Sequence, residues 1–320
     1  MRSLHGAVLL AAVVFTGACV AESPVRDAAP ASPSVSSAPV ARSTALIAAA
    51  ERGDAALVGR LLRAGAAVDE VDGAGRTALE AAVASGAGVD AVRVLVAGGA
   101  DVRRAIDDAR GAVLTTLTAA QQPPPADAAA ALLSAATAGD ADGAAVALRA
   151  GAHLESRDAH QRTPLLLAVT GDRLEVARLL VALGADPDAL DDRHDTPWLV
   201  TGVTGSVPML EVLLPAGPDL TVRNRFGGVS VIPAAERGHV EYVRRVVQTG
   251  IDVNHVNDPG WTALLEAVVY GDGSASYQEI VHILLASGAD PAIRDANGRT
   301  ALEHADARRQ TEIARMLRGG

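Results

Sequence analysis

The chain repeats itself every 33 residues over most of its length. Aligned outward from AERGD at Glu51 and AERGH at Glu236, it shows one recurrent frame. The frame reads T-x-L, then A-A, two polar residues, Gly with a polar residue, V-x-x-L-L, and G-A-D. It begins at Thr44, Thr77, Ala130, Thr163, Thr196, Val229, Thr262 and Thr300, so successive spacings are 33, 53, 33, 33, 33, 33 and 38 residues. A period of this length means small supersecondary units, none able to bury its apolar face alone, stacked so that neighbours complete one core.

Each unit reads as two helices. Thr163 and Thr196 are placed to cap a first helix, and Pro164 and Pro197 pre-set its first turn. Thr77 with Glu80, and Thr300 with Glu303, have capping-box spacing. Gly53, Gly139, Gly171, Gly238 and Gly271 are expected to end first helices in the left-handed conformation. Gly65, Gly151, Gly184, Gly250 and Gly288 should do the same for the second helices. Leu174, Val176, Leu179 and Leu180 fall at helical spacing and must face a neighbour. The polar load of Arg308, Arg309, Gln310, Glu312, Arg315 and Arg318 suits a terminal unit.

The stretch RTPLLLAVTGDRLEVARLLVALGADPDALDD, Arg162 to Asp192, closely resembles the ankyrin-repeat consensus. The resemblance runs from about Thr44 to Gly320, with a break near Ile106 to Ala126. It implies an all-α solenoid of about seven to eight helix-turn-helix repeats with β-hairpin fingers between them. Repeats one and two would occupy 44–104, an irregular helical insert 105–127, and repeats three to eight 128–320. Arg103 to Gln122 reads as a helix ended by Pro123–Pro125, so the first two repeats form a block of their own. Five extra residues around Gly273 to Tyr277 should lengthen a loop between two helices, and Pro215 and Pro218 unsettle the helix end at Gly217. The phrases NRFGG, IPAAERGHVE, DVNHVN and GWTALLEAVVYGDG, within Thr196 to Arg299, are similar to a set of bacterial ankyrin proteins, many of them secreted in appearance.

The only cysteine, Cys19, follows an apolar run behind Arg2. A positive start, an apolar centre and small residues before a cut mark a secretory signal, and the run falls short of the roughly 20 residues that span a bilayer. Phe15-Thr16-Gly17-Ala18-Cys19 resembles a bacterial lipobox. That resemblance implies a signal peptide over 1–18, lipidation of Cys19, and a protein held outside the cytoplasm by acyl chains. Residues 19–43, with four prolines among Ser and Ala, read as a disordered tether. The net charge of −10 argues against nucleic acid, and the membrane is expected to be reached through the lipid alone.

Motif searches point away from chemistry. Gly86-Ala87-Gly88-Val89-Asp90-Ala91 matches G-x-G-x-x-A but follows a capped helix where a dinucleotide site needs a strand. His239-Val240-Glu241 lacks the P-C-x-x-C that a zinc deaminase requires. The carboxylates Asp186, Asp188, Asp191, Asp192 and Asp195 lack calcium-loop spacing and enclose Arg193, so they read as solvated finger residues. His153 and His160 read as surface residues, and no Ser, His and Asp set sits on a turn that would raise a nucleophile. No catalytic residue, cofactor or metal is therefore assigned.

Binding is the remaining reading. Repeat arrays of this kind bind through finger tips and first helices, and aromatics with Arg carry interface energy. Beyond Phe15, every aromatic lies in the last four repeats. Trp198 replaces the Leu of T-P-L and reads as core, and Tyr242 as half-buried. Phe226, between Arg223 and Arg225, Trp261 and Tyr270 are expected to form a hot spot for another protein. The chain thus reads as a monomeric, membrane-anchored adaptor of the bacterial envelope. The alternative is an inhibitor or immunity-type protein occluding one enzyme, which very tight, single-target binding would reveal.

Overall fold

The computed structural model describes residues 39–319, all within one unit, Val35–Gly320. The expected signal peptide, Cys19 and most of the expected tether lie outside the described residues. The chain runs through helix pairs α1 (Pro39–Glu51) and α2 (Ala55–Arg63), then α3 (Ala78–Ser85) and α4 (Val89–Ala97). Two 3-10 turns and α5 (Gly111–Ala120) follow. The array continues as α6 (Ala128–Ala138) with α7 (Ala141–Arg149), α8 (Pro164–Thr170) with α9 (Leu174–Leu183), and α10 (Pro197–Thr204) with α11 (Val207–Leu213). It ends as α12 (Val231–Glu236) with α13 (Val240–Val246), α14 (Ala263–Val269) with α15 (Ala275–Ala286), and α16 (Ala301–Ala307) with α17 (Thr311–Gly319). From α6 onward, first helices stack on first helices and second on second.

Local chemistry sets these starts and stops. Thr77, Thr163, Thr196, Thr262 and Thr300 each accept a hydrogen bond from the backbone N–H three residues on, and both capping boxes close. The second-helix glycines Gly65, Gly151, Gly184, Gly250 and Gly288 all have positive φ. Two first-helix glycines differ from expectation. After α8 the left-handed residue is Asp172, not Gly171, and after α14 it is Gly273, not Gly271. Gly271 is needed for space instead, because a Cβ there would lie 2.7 Å from the Tyr277 ring.

Four other expectations are revised. Among the described residues there are no strands, only a β-bridge between Arg294 and Thr300. Each finger is a turn wound around one Asp or Asn side chain: Asp72, Asp158, Asp191, Asn224 and Asp295 each accept from the backbone N–H groups two and four residues on. The N–H of the same residue donates to the carbonyl four residues on, so each finger closes as a short hairpin-like turn without a strand ladder. The segment 103–122 is not one helix, since two 3-10 turns over Val102–Asp108 precede α5. The helical array starts before residue 44, because α1 begins at Pro39, inside the stretch expected to be a tether, and already buries Ser43. Lastly, the insertion at 273–277 lengthens both the loop and α15, and Tyr277 uses its hydroxyl to donate to the Glu236 carbonyl at 2.9 Å.

The first two helix pairs do not extend the stack. Their second helices, α2 and α4, turn against the second helices α7 and α9, and α5 wedges against α4 and α7. α4 is apolar almost all round, burying Ala91, Val92, Val94, Leu95 and Val96, as a helix packed on two sides must be. Arg93 bonds Asp142 and Glu175 across this junction, each at 2.8 Å. Small residues permit close approach, with Gly59 of α2 against the Ala182 carbonyl of α9. The junction occupies the second-helix side and leaves the groove lined by first helices and fingers open.

Candidate functional site

The open groove runs past α8, α10, α12 and α14. Adjacent fingers hold one another: Asp188 accepts from the Asp219 N–H at 2.8 Å, and Asn254 from the Asp290 N–H at 2.7 Å. Glu155 accepts in the same way from Asp186 at 3.0 Å. Within the 186–195 stretch, Asp186, Asp188 and Asp191 accept from backbone N–H groups, Asp192 faces His160 and Asp195 faces Arg225, and the finger tips form a ridge held in register.

One segment of the groove has a volume of about 470 Å³ and is lined by Arg162, Arg193, Arg225 and Arg237, with Asp191, Asp195 and Phe226. The next has a volume of about 310 Å³ and is lined by Phe226, Ile232, Pro233, Glu236, Asn257, Pro259, Glu266 and Tyr270. Phe226 and Glu236 border both. Arg225 stands 4.5 Å over the Phe226 ring and 3.4 Å from Asp195. Phe226 is 52% exposed and Tyr270 58% exposed. The Tyr270 ring centroid lies 5.3 Å from that of Trp261, tilted by 57°. Trp261 packs partly on the core and supports Tyr270 from behind.

The structure therefore brings Phe226, Arg225 and Tyr270 to one stretch of groove, while Trp261 lines neither segment and reaches it only through its contact with Tyr270. Arg223 is exposed on the Phe226 finger but lines neither segment. Trp198 is fully buried, as read from the sequence. Tyr242 is fully buried too, not half-buried, with its hydroxyl 2.7 Å from Thr201 Oγ1. Its burial pushes the phenol up to about 12.

Glu266 was not singled out by the sequence reading. It lies on α14, 6% exposed, and accepts from Asn257 Nδ2 at 3.1 Å through Oε1, while Oε2 has no hydrogen-bond partner. Burial, reinforced by Glu236, pushes its carboxyl up to about 7. A signal was present in the repeat frame. The fifth position of each unit is Ala, Leu, Val or Pro at 48, 81, 167, 200 and 233 and Ser at 134, but a titratable residue only at Glu266 and His304. His304 bonds Asp295 at 2.8 Å just as Glu266 bonds Asn257, each nine residues back.

Known proteins agree with this architecture. The description "Ankyrin repeats (3 copies)" matches residues 26–106 and 200–295, and "Ankyrin repeat" matches 160–192. The chain belongs to the ankyrin-repeat family. It is 38% identical to the ankyrin repeat protein YahD of Escherichia coli (strain K12) over 184 residues, 57% of this chain and 92% of that protein. The crystal structure of an ankyrin repeat domain from Acinetobacter baumannii AYE is 41% identical, covers 59% of this chain and 96% of its own, and superposes with a TM-score of 0.57. The ankyrin repeat protein EF0377 is similar at 37% identity, with 59% of this chain and 97% of its own covered, also at a TM-score of 0.57. An ankyrin-repeat array implies protein–protein interaction, and its homologues are typically non-enzymatic scaffolds.

Proposed function

We propose that this protein is an exported, lipid-anchored ankyrin adaptor of the bacterial envelope, a monomer that binds one other protein through the groove beside Phe226 and Tyr270. The observation that carries the binding reading is this pair of half-exposed aromatic rings bordering one small cavity. Scattered exposed apolar side chains are ordinary, but a cluster in a concavity marks an interaction surface. Arg225 stiffens one ring and Trp261 backs the other, so little side-chain freedom is lost on binding. The neighbouring arginine-lined segment supplies a polar rim. Catalysis has no part in this reading; the array presents a rigid surface.

The anchoring half rests on the Phe15–Cys19 lipobox and the proline-rich stretch behind it. Labelled palmitate should enter the wild-type protein in a lipoprotein-processing bacterium and not the Cys19→Ser variant; equal labelling would end that part of the proposal. The binding half is tested by exposing the protein and its Trp261→Ala variant to solubilised envelope proteins. A partner retained by the first and lost by a folded variant supports the groove. A partner retained equally by both places binding elsewhere.

A further inference from the structure

The smaller groove segment is chemically lopsided. Its walls are Phe226, Tyr270 and aliphatic side chains with the amides of Asn224 and Asn257, and its only charged side chains are Glu236 and Glu266. Arginines line the neighbouring segment, yet none lines this one. Glu266 is nine-tenths buried, and Oε2 has no hydrogen-bond partner. Finger anchoring accounts for Oε1 alone. A buried carboxylate without a counter-charge is costly, and the cost falls when a cation arrives.

We propose that this segment is a receptor for one long cationic side chain, arginine or lysine, of the bound protein. Its charge meets Glu266 and Glu236, and its stem lies between Phe226 and Tyr270. The chemistry of the walls matches both parts of such a side chain. Aromatic faces attract a cation, and Ile232, Pro233 and Pro259 offer apolar surface to its methylenes. The volume of about 310 Å³ lies at the small end of the range for ligand sites, about 300–1,000 Å³. It suits a single side chain and not a helix. This inference rests on the groove being the binding surface and specifies what that surface selects.

The test is a titration of the purified protein with N-acetyl-arginine amide and N-acetyl-lysine amide at constant ionic strength. The neutral counterparts are N-acetyl-citrulline amide and N-acetyl-norleucine amide. Trp261, in contact with Tyr270, is the fluorescent reporter, and Trp198 is buried away from solvent. At least one cationic probe should give a saturable change, with its neutral counterpart at least tenfold weaker. Glu266→Gln preserves an acceptor for Asn257 and should weaken the cation at least tenfold. Glu236→Gln, at a less buried site, should weaken it as well and covers the case of a misfolded Glu266 variant. Binding of neutral and cationic probes alike, an unchanged Gln variant, or no saturable change overturns the proposal. If the cation fails while Trp261→Ala still abolishes partner capture, the receptor is wrong and the groove stands. If Trp261→Ala leaves capture intact, the groove reading itself has failed.

Discussion

Substituting Gly59 by Ala tests the least expected part of the fold, the packing of α2 on α9. The added Cβ would lie 1.9 Å from the Ala182 carbonyl oxygen and 2.7 Å from its carbon. Ordinary contact needs about 3.4 Å, so α2 or α9 must move by more than 1 Å at a point where both helices are buried. Overpacking of this kind costs about 1–3 kcal/mol. Arg63 donates to the same carbonyl, and its displacement removes about 1 kcal/mol more. Against this, Ala is favoured over Gly inside a helix by about 1 kcal/mol. The net expectation is a loss of about 1–3 kcal/mol, read by urea unfolding followed through far-UV circular dichroism. Hydrogen exchange across α9 should also quicken, because the surface that covers it is pushed away. The sign is decisive. Were Gly59 facing water, the same substitution would stabilise the protein by about 1 kcal/mol. A variant equal to or more stable than wild type, with α9 protection unchanged, would refute the docking.

Two further outcomes follow from the electrostatics. Glu266 has its folded pKa raised from an ordinary 4.5 to about 7, so the stabilising protonated form is complete below the ordinary value and is lost as pH rises through about 7. Glu266→Gln should therefore be more stable than wild type at pH 8 by about 2 kcal/mol, allowing for water in the groove, and match it near pH 4.5; a pH-independent difference in urea midpoints would show the reasoning to be wrong. Arg93→Met should cost about 2 kcal/mol, between the values for exposed and buried pairs, since Asp142 and Glu175 lose their shared partner. High salt should barely change that loss, and a difference that vanishes in 1 M NaCl would mean the bridge is merely a surface pair.

Much of this was legible in the residues. The 33-residue frame, the Thr caps, the Pro first turns and the second-helix glycines act within a few positions of themselves, so their meaning survives without a tertiary context. The aromatic fingers were legible for the same reason: Phe226 and Trp261 lie at turns between periodic segments. Finger conformation was read less well. Asp and Asn at the turns accept from backbone donors while their own N–H closes the turn, which shortens the pairing to one hairpin-like bond per finger. Glu266 was missed because a lone carboxylate in an apolar helix has no meaning until the finger folded over it is known.

The repeat by itself determined that the chain would be a helical stack, because one helix pair cannot bury its own apolar face. It also determined where helices begin and end, since capping is local. Only the tertiary structure decided where the first two pairs go. The insertion between Asp101 and Asp127 breaks the first-helix layer, and nothing local says which surface then receives α2 and α4. The choice is settled by non-local contacts: Gly59 at the Ala182 carbonyl, Arg93 between Asp142 and Glu175, and α4 buried on both sides. These residues are 49 to 123 positions apart, so their complementarity exists only once the chain has closed on itself.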